Sequence, residues 1–332
     1  MAICSMLRET LFTVKEEEKA TREGFGEGLL VAGESDTRIV AMCADLTDSV
    51  KMTLFKDRFP LRFFELGITE QAMSGVASGL ASMGKIPFMA SYAMFSPGRN
   101  WEQIRTTICY NNQPVKIVGA HSGLSVGPDG ATHQALEDIA LMQLLPNMEV
   151  YVPCDATEAR EMTKYIASTK SPAYLRLTRE NTPLMLPDDY EFTPKKAYIM
   201  YVPKRKEGEF SLNIGLIACG PIIYEAIKAA KELEKEGIGV TVVNMPTVKP
   251  LDTAFLLRFA KGVRTIVTLE EHQIHGGLGS TIANYLAEHN PIKVVRMGVE
   301  DRFGQSGKAS ELYEEYGISS KHIAEKIRTV AN

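Results

Sequence analysis

The sequence predicts an α/β fold of two domains with mainly parallel sheets, on three observations. Short apolar runs of strand length alternate with longer helical stretches from about residue 21 to 177, and again from about 212 onward. Strands and helices alternate in this way along both blocks. This marks strands covered on both faces, as in parallel sheets flanked by helices. Between the two blocks, Pro183 to Glu209 is rich in proline, lysine and acids, and it lacks strong periodicity until the apolar run 197–202. We therefore expect an arm (1–19), a first domain (20–187), a linker (188–211) with a strand inside it, and a second domain (212–332). A chain of 332 residues suits two domains.

Each element has its own justification. Residues 1–20 end in Lys15-Glu16-Glu17-Glu18-Lys19 and read as a solvated arm, helical or frayed. A helix opens at Thr21 and ends near Gly33. Arg38 to Leu46 reads as a buried strand ending in Asp45. After the apolar Phe63-Phe64-Glu65-Leu66 and a small turn, a helix starts at Glu70 with Thr69 as its N-cap. From Gln71 to Met83 it is rich in Ala, Ser and Gly and carries no charge. Such a helix is expected to be buried on most sides. Strands follow at 86–91, 115–120, 148–152 and 172–177, with helices at 98–111, 134–145 and 155–169. The second domain reads as strands 213–219, 239–244, 263–269 and 292–296, with helices 221–236, 251–260, 277–288 and 319–330. Ser319 or Ser320 would cap the last helix. The two halves show no convincing internal repeat.

Composition narrows the function classes. Hydrophobic content is 45%, charged content is 23% and the net charge is -4, which suits a globular protein with an ample core. Dispersed acids suggest neither nucleic-acid binding nor membrane attachment. No apolar run approaches the ~20 residues of a membrane span, and the N-terminus does not read as a signal peptide. Cys4, Cys43, Cys109, Cys154 and Cys219 are scattered, odd in number and mostly in apolar stretches. Buried reduced thiols in a cytoplasmic protein are the expectation.

Two stretches can carry chemistry. Glu70 stands at a helix start, where the dipole favours the anion by ~0.3–1 kcal/mol. Burial opposes it and can raise a carboxyl pKa by as much as ~3–5 units. In a dry site a proton-sharing glutamate is available to a heterocyclic nitrogen; otherwise Glu70 simply favours the helix. The second stretch runs from His121 to Gln134 and holds His121, Asp129 and His133 on a glycine-rich loop after a strand. Loops with so many polar groups tend to be functional. In a mainly parallel sheet, ligands sit beyond the carboxyl ends of the strands, where Asp45, Ser91 and His121 fall. Glu270-Glu271-His272-Gln273-Ile274-His275 lacks a standard zinc spacing. Gly276-Gly277-Leu278-Gly279-Ser280 lacks both phosphate-loop patterns and reads as the start of a closely packed helix.

From about residue 20 onward the chain resembles the transketolase family, specifically the pyrimidine-binding and C-terminal domains of a thiamine-diphosphate enzyme. The resemblance rests on Glu65-Leu66-Gly67-Ile68-Thr69-Glu70 and on Asp129-Gly130-Ala131-Thr132-His133-Gln134. It implies that Glu70 bonds a ring nitrogen of the cofactor's aminopyrimidine, favouring the tautomer that deprotonates the thiazolium. Tyr92 and Phe95 resemble the aromatics that stack on that ring, and Asp45 lines the same site. The family often has a third aromatic three residues past Phe95; Gly98 stands here. Arg22, Ser49, His121 and Arg179 resemble contacts to a substrate phosphate. Asp129 and His133 resemble groups on sugar hydroxyls near the reacting carbons, with His133 assisting proton movement.

The chain lacks the Gly-Asp-Gly motif with which the family holds Mg²⁺ and the diphosphate. The resemblance therefore implies a split transketolase. This chain would be its C-terminal subunit, the Mg²⁺ ligands would lie on an N-terminal partner, and the assembly would be a heterotetramer acting on sugar phosphates. The implied reaction moves a two-carbon ketol unit from a ketose phosphate to an aldose phosphate. Deoxyxylulose-phosphate synthases share the 129–134 pattern but tend to carry an Asp-Arg pair at the place of His121-Ser122. The β subunits of 2-oxoacid dehydrogenases lack the Asp129 to His133 motif. A regulatory paralogue without catalysis is the remaining alternative.

Overall fold

The computed structural model describes residues 7–8, 11–12, 16–204 and 213–331. The first part contains β1 (Glu18–Lys19), α1 (Thr21–Ser35), β2 (Ile39–Cys43), α2 (Thr53–Arg58), β3 (Phe63–Glu65), α3 (Glu70–Ser82) and β4 (Ile86–Tyr92). Next come α4 (Trp101–Gln103), which continues as a π-helical turn over Ile104–Cys109, then β5 (Lys116–Ala120), α5 (Asp138–Gln143), β6 (Glu149–Tyr151), α6 (Ala156–Ser168), β7 (Ala173–Arg176) and β8 (Thr182–Pro183). The second part contains β9 (Tyr198–Tyr201), β10 (Asn213–Ala218), α7 (Ile223–Lys235), β11 (Gly239–Asn244), β12 (Thr247–Lys249) and α8 (Thr253–Ala260). It continues with β13 (Thr265–Gln273), α9 (Leu278–His289), β14 (Lys293–Val299), α10 (Ala309–Glu315) and α11 (Ser320–Ala331).

Two sheets organise these elements. The larger has the order β12-β6-β7-β5-β4-β2-β3, and the smaller β14-β13-β10-β11-β9. Within these two sheets all pairings are parallel except those of β12 with β6 and β9 with β11. β2, β5 and β7 are buried along their whole length, as expected of parallel strands covered on both faces; Lys116 in β5 and Arg176 in β7 are buried with the apolar residues around them. Each antiparallel strand caps an edge. β12 follows the linker in sequence yet completes the first sheet, so the two halves share a sheet edge.

Several expectations are corrected. Where it is described, the arm is not helical: it turns at Leu11, whose amide donates to Arg8 O at 3.1 Å, its end β1 pairs antiparallel with β8, and Arg8 Nε donates to Leu186 O at 2.7 Å. The rest of the arm, Cys4 and the linker residues 205–212 lie outside the described residues. β3 and α2 went unread in the sequence. β3 is too short for periodicity to show and is placed by parallel pairing with β2. The helix expected over 134–145 starts only at Asp138, because Gln134 is committed to the preceding loop. The strand expected over 263–269 runs on to Gln273. Thr69 precedes α3 but does not cap it; its hydroxyl donates to Leu66 O at 2.7 Å.

α3 is not buried on most sides of this chain. Glu70, Met73, Ser74, Ala77 and Ala81 face inward, while Ala72, Gly75, Val76 and Gly79 form an exposed face. Cys43, Cys109, Cys154 and Cys219 are free and buried. Among the described residues, no helix is long and apolar enough to cross a membrane.

Candidate active site

Four neighbouring strands, β7, β5, β4 and β2, end at one edge of the larger sheet. Arg179 follows β7, His121 follows β5, Tyr92 closes β4 and Asp45 follows β2. The parallel register sets Tyr92 beside Ala120, one residue before His121. The Tyr92 and His121 rings therefore stack, with centroids 3.9 Å apart. Phe95 lies 6.1 Å from Tyr92, and its ring meets His133 edge-on at 5.5 Å. Residues from two distant stretches thus form a single aromatic cluster, because β4 and β5 pair.

A cationic corner adjoins it. Thr178 N donates to Thr21 Oγ1 at 2.8 Å, which ties together the segments bearing Arg22 and Arg179. Arg22 Nη1 donates to Ser49 O at 2.8 Å; Ser49 contributes its carbonyl here. Arg179 Nη1 donates to Val126 O at 2.7 Å and stands 3.6 Å from Asp129 Oδ2. Burial, followed by the charges of Arg22, Arg179 and His133, pushes the His121 pKa down to about 3. His121 is therefore neutral at physiological pH. Arg22 Nε, His121 Nδ1 and Ser91 Oγ are buried without a hydrogen-bond partner. Such unpartnered polar atoms have the chemistry to take an anionic or hydroxyl-rich ligand.

Glu70 starts α3 at 1% exposure. The sequence set helix dipole against burial for its proton; the fold adds a third group, Arg99. Its Nη1 donates to Glu70 Oε2 at 2.7 Å, and the arginine is half-exposed. The same guanidinium lies 4.9 Å from the Phe95 ring centroid, linking Glu70 to the aromatic cluster. Asn100 Nδ2 donates to Glu70 O at 3.1 Å and Ser74 Oγ at 3.0 Å, which fixes the first turn of α3. Asp45 is exposed at φ 60°. Its amide donates to Glu65 Oε1 at 2.7 Å, and Thr47 Oγ1 donates to Glu65 Oε2 at 2.7 Å.

Arg99, Asn100 and Glu65 are the supporting residues that sequence reasoning missed. Arg99 and Asn100 immediately follow the Tyr92–Gly98 stretch, and that adjacency was the only available signal. Glu270, weighed as a metal ligand, instead accepts the Leu278 and Gly279 amides, both at 2.8 Å. Its carboxylate satisfies the start of α9, where the Gly276–Ser280 run packs against it as the sequence suggested.

Comparison with known proteins adds the family context. The description "Transketolase, pyrimidine binding domain" matches residues 17–185, and "Transketolase, C-terminal domain" matches 205–323. A relative from Methanocaldococcus jannaschii, named "Putative transketolase C-terminal section", is 39% identical over 93% of this chain and 95% of its own. A "6-deoxy-6-sulfo-D-fructose transketolase subunit" from a Clostridium species is 37% identical over 94% of each chain. A solved structure described as "Split gene transketolase, inactive beta4 tetramer" superposes with a TM-score of 0.84 at 42% identity, covering 93% of this chain and 97% of that one.

Proposed function

This chain belongs to the transketolase family, and we propose that it is the C-terminal subunit of a split, thiamine-diphosphate-dependent transketolase. The reaction is transfer of a two-carbon ketol unit from a ketose phosphate to an aldose phosphate, in the cytoplasm. The carrying observation is the convergence at one sheet edge of a buried helix-start carboxylate, an aromatic pair, a two-arginine corner and two histidines. The chain has no Gly-Asp-Gly sequence, so the Mg²⁺ ligands belong to an N-terminal partner, which supplies the oxygen donors that this ion requires.

The residues present fit the cofactor and the substrate. Glu70 and the Tyr92–Phe95 pair offer an acceptor and two ring faces to an aminopyrimidine, with Asp45 at the margin. The unpartnered Arg22 Nε and His121 Nδ1, together with Ser49 and Arg179, suit a substrate phosphate. The bound cofactor supplies the nucleophilic carbon and electron sink. Glu70, paired here with Arg99, would hold a proton at a pyrimidine nitrogen. His133 moves protons at sugar hydroxyls, and Asp129 orients the chain of the sugar. Neutral His121 offers one donor and one acceptor nitrogen and adds no charge beside the two arginines. The exposed Ala72, Gly75, Val76 and Gly79 face of α3 is the surface that assembly covers, consistent with a heterotetramer.

The test is to co-express the chain with a partner bearing Gly-Asp-Gly. Ketol transfer from xylulose 5-phosphate to ribose 5-phosphate is then assayed with thiamine diphosphate and Mg²⁺. Activity that needs both chains is expected. A chain that pairs with no such partner and binds no cofactor would move the regulatory reading to the front.

A further inference from the structure

None of the candidate site residues comes from the second half of the chain, yet that half grips the loop carrying His121, Asp129 and His133. The loop leaves β5 and makes a 3-10 turn over Leu124–Asp129. Its backbone is irregular and passes through left-handed geometry at Gly123, with φ 79°. Backbone of this kind has no strand ladder to satisfy its amides, so other groups must fix its shape.

Glu271 does this from β13. At 2% exposure, its carboxylate accepts the Ser125 amide on one oxygen and the Tyr313 hydroxyl, at 3.1 Å, on the other. Gly123 packs so tightly against this carboxylate that a Cβ there would overlap it. Gln134 closes the loop: its Nε2 donates to Leu124 O at 3.1 Å and to Gln305 O at 3.0 Å. Leu124 is buried in the core cluster of the second half. The Glu271 backbone is itself anchored, since Arg176 Nη2 donates to Glu271 O at 2.9 Å while Arg176 Nε pairs with Asp138 at 2.8 Å. A carboxylate so fully buried and so bonded has one geometry available, and the loop inherits it.

We infer that Glu271 is a positioning residue for the substrate loop, holding the Ser125 amide so that Asp129 and His133 are presented to the substrate. The role given to those two residues rests on the transketolase reading. The second domain thereby acts on sugar binding through the loop and leaves the Glu70 side of the site untouched.

The test uses Glu271→Ala with two readouts. In the full chain, amide hydrogen exchange over residues 122–130 should accelerate by about tenfold or more, while β4 and α3 exchange as before. In the assembled complex, kcat/KM for the ketose phosphate should fall about tenfold or more, with the cofactor dissociation constant within about twofold. Glu271→Gln keeps an acceptor for the Ser125 amide and should restore most of both. If Glu271→Ala does not fold, Tyr313→Phe removes the other hydrogen bond and should give a smaller loss in the same direction. Unchanged exchange in 122–130 overturns the inference, as does a parallel loss of sugar and cofactor affinity. If the wild-type complex transfers no ketol unit, the transketolase reading fails, and the exchange result alone then decides whether Glu271 orders the loop.

Discussion

Glu70 shows how a single residue gets its environment from outside its own stretch. Its sequence neighbours supply the helix start and the burial; Arg99, twenty-nine positions away, supplies the charge. Removing that partner leaves a buried carboxylate uncompensated. Arg99→Ala should lower stability by about 1–3 kcal/mol, read by urea denaturation. A shift below about 0.5 kcal/mol would mean that the pair adds nothing beyond an exposed salt bridge. His121 makes a second residue-scale prediction. Its ordinary pKa of 6.5 falls to about 3 in the fold. Between those values the unfolded chain binds a proton that the folded site refuses, so stability is lost as pH falls through that window. The slope contributed is up to ~1.4 kcal/mol per pH unit. His121→Asn should flatten the limb between pH 6 and 4 in Tm measured against pH, and an unchanged limb would refute the assignment.

At the scale of elements, α1 and α6 make the platform from which Arg22 reaches the site. They pack so closely that a Cβ on Gly24 would overlap the Ala156 carbonyl oxygen. Backbone cannot yield as a flexible side chain can, so Gly24→Ala should force the helices apart. The expected cost is about 1–3 kcal/mol or more, read by thermal unfolding, with weakened sugar-phosphate binding because Arg22 moves. An unperturbed Tm would show that the helices can re-pack. Asp155 organises the other side of this pair. It caps α6 through the Glu158 amide at 2.8 Å, and its second oxygen accepts the Met185 and Leu186 amides. One carboxylate thereby joins a helix start to the segment that leaves the first sheet.

At the scale of the whole molecule, the two halves are joined through buried polar groups as well as apolar ones. Glu158 accepts hydrogen bonds from Tyr190, Tyr198 and Asn244, gathering the first part, the linker and β11 around one carboxylate. The proposed assembly supplies a further prediction. Glu70→Gln keeps the size of the side chain and lies at a buried helix start rather than on the exposed α3 face. It should leave the complex with the N-terminal partner intact in size-exclusion chromatography. Ketol transfer should nevertheless fall by about 10²–10⁴-fold, the usual contribution of a positioned acid or base. Full activity would remove Glu70 from the mechanism.

The sequence by itself determined the α/β class, most strand and helix positions and the stretches that carry the site, because apolar runs and helical spacing are local signals. The short β3 and β12 left no such signal, since pairing with a neighbour rather than periodicity makes them strands. The resemblance of residues 65–70 and 129–134 to one family was legible for the same reason: each motif lies within a single stretch. Only the tertiary structure decided that Tyr92 stacks on His121, that Arg99 pairs with Glu70 and that Glu271 holds the Ser125 amide. It also decided that α3 keeps an open face, where composition alone had argued for burial. Those outcomes depend on which strands lie side by side and on how the two sheets meet. Charge pairing and desolvation act through space, between groups that the sequence sets tens of residues apart.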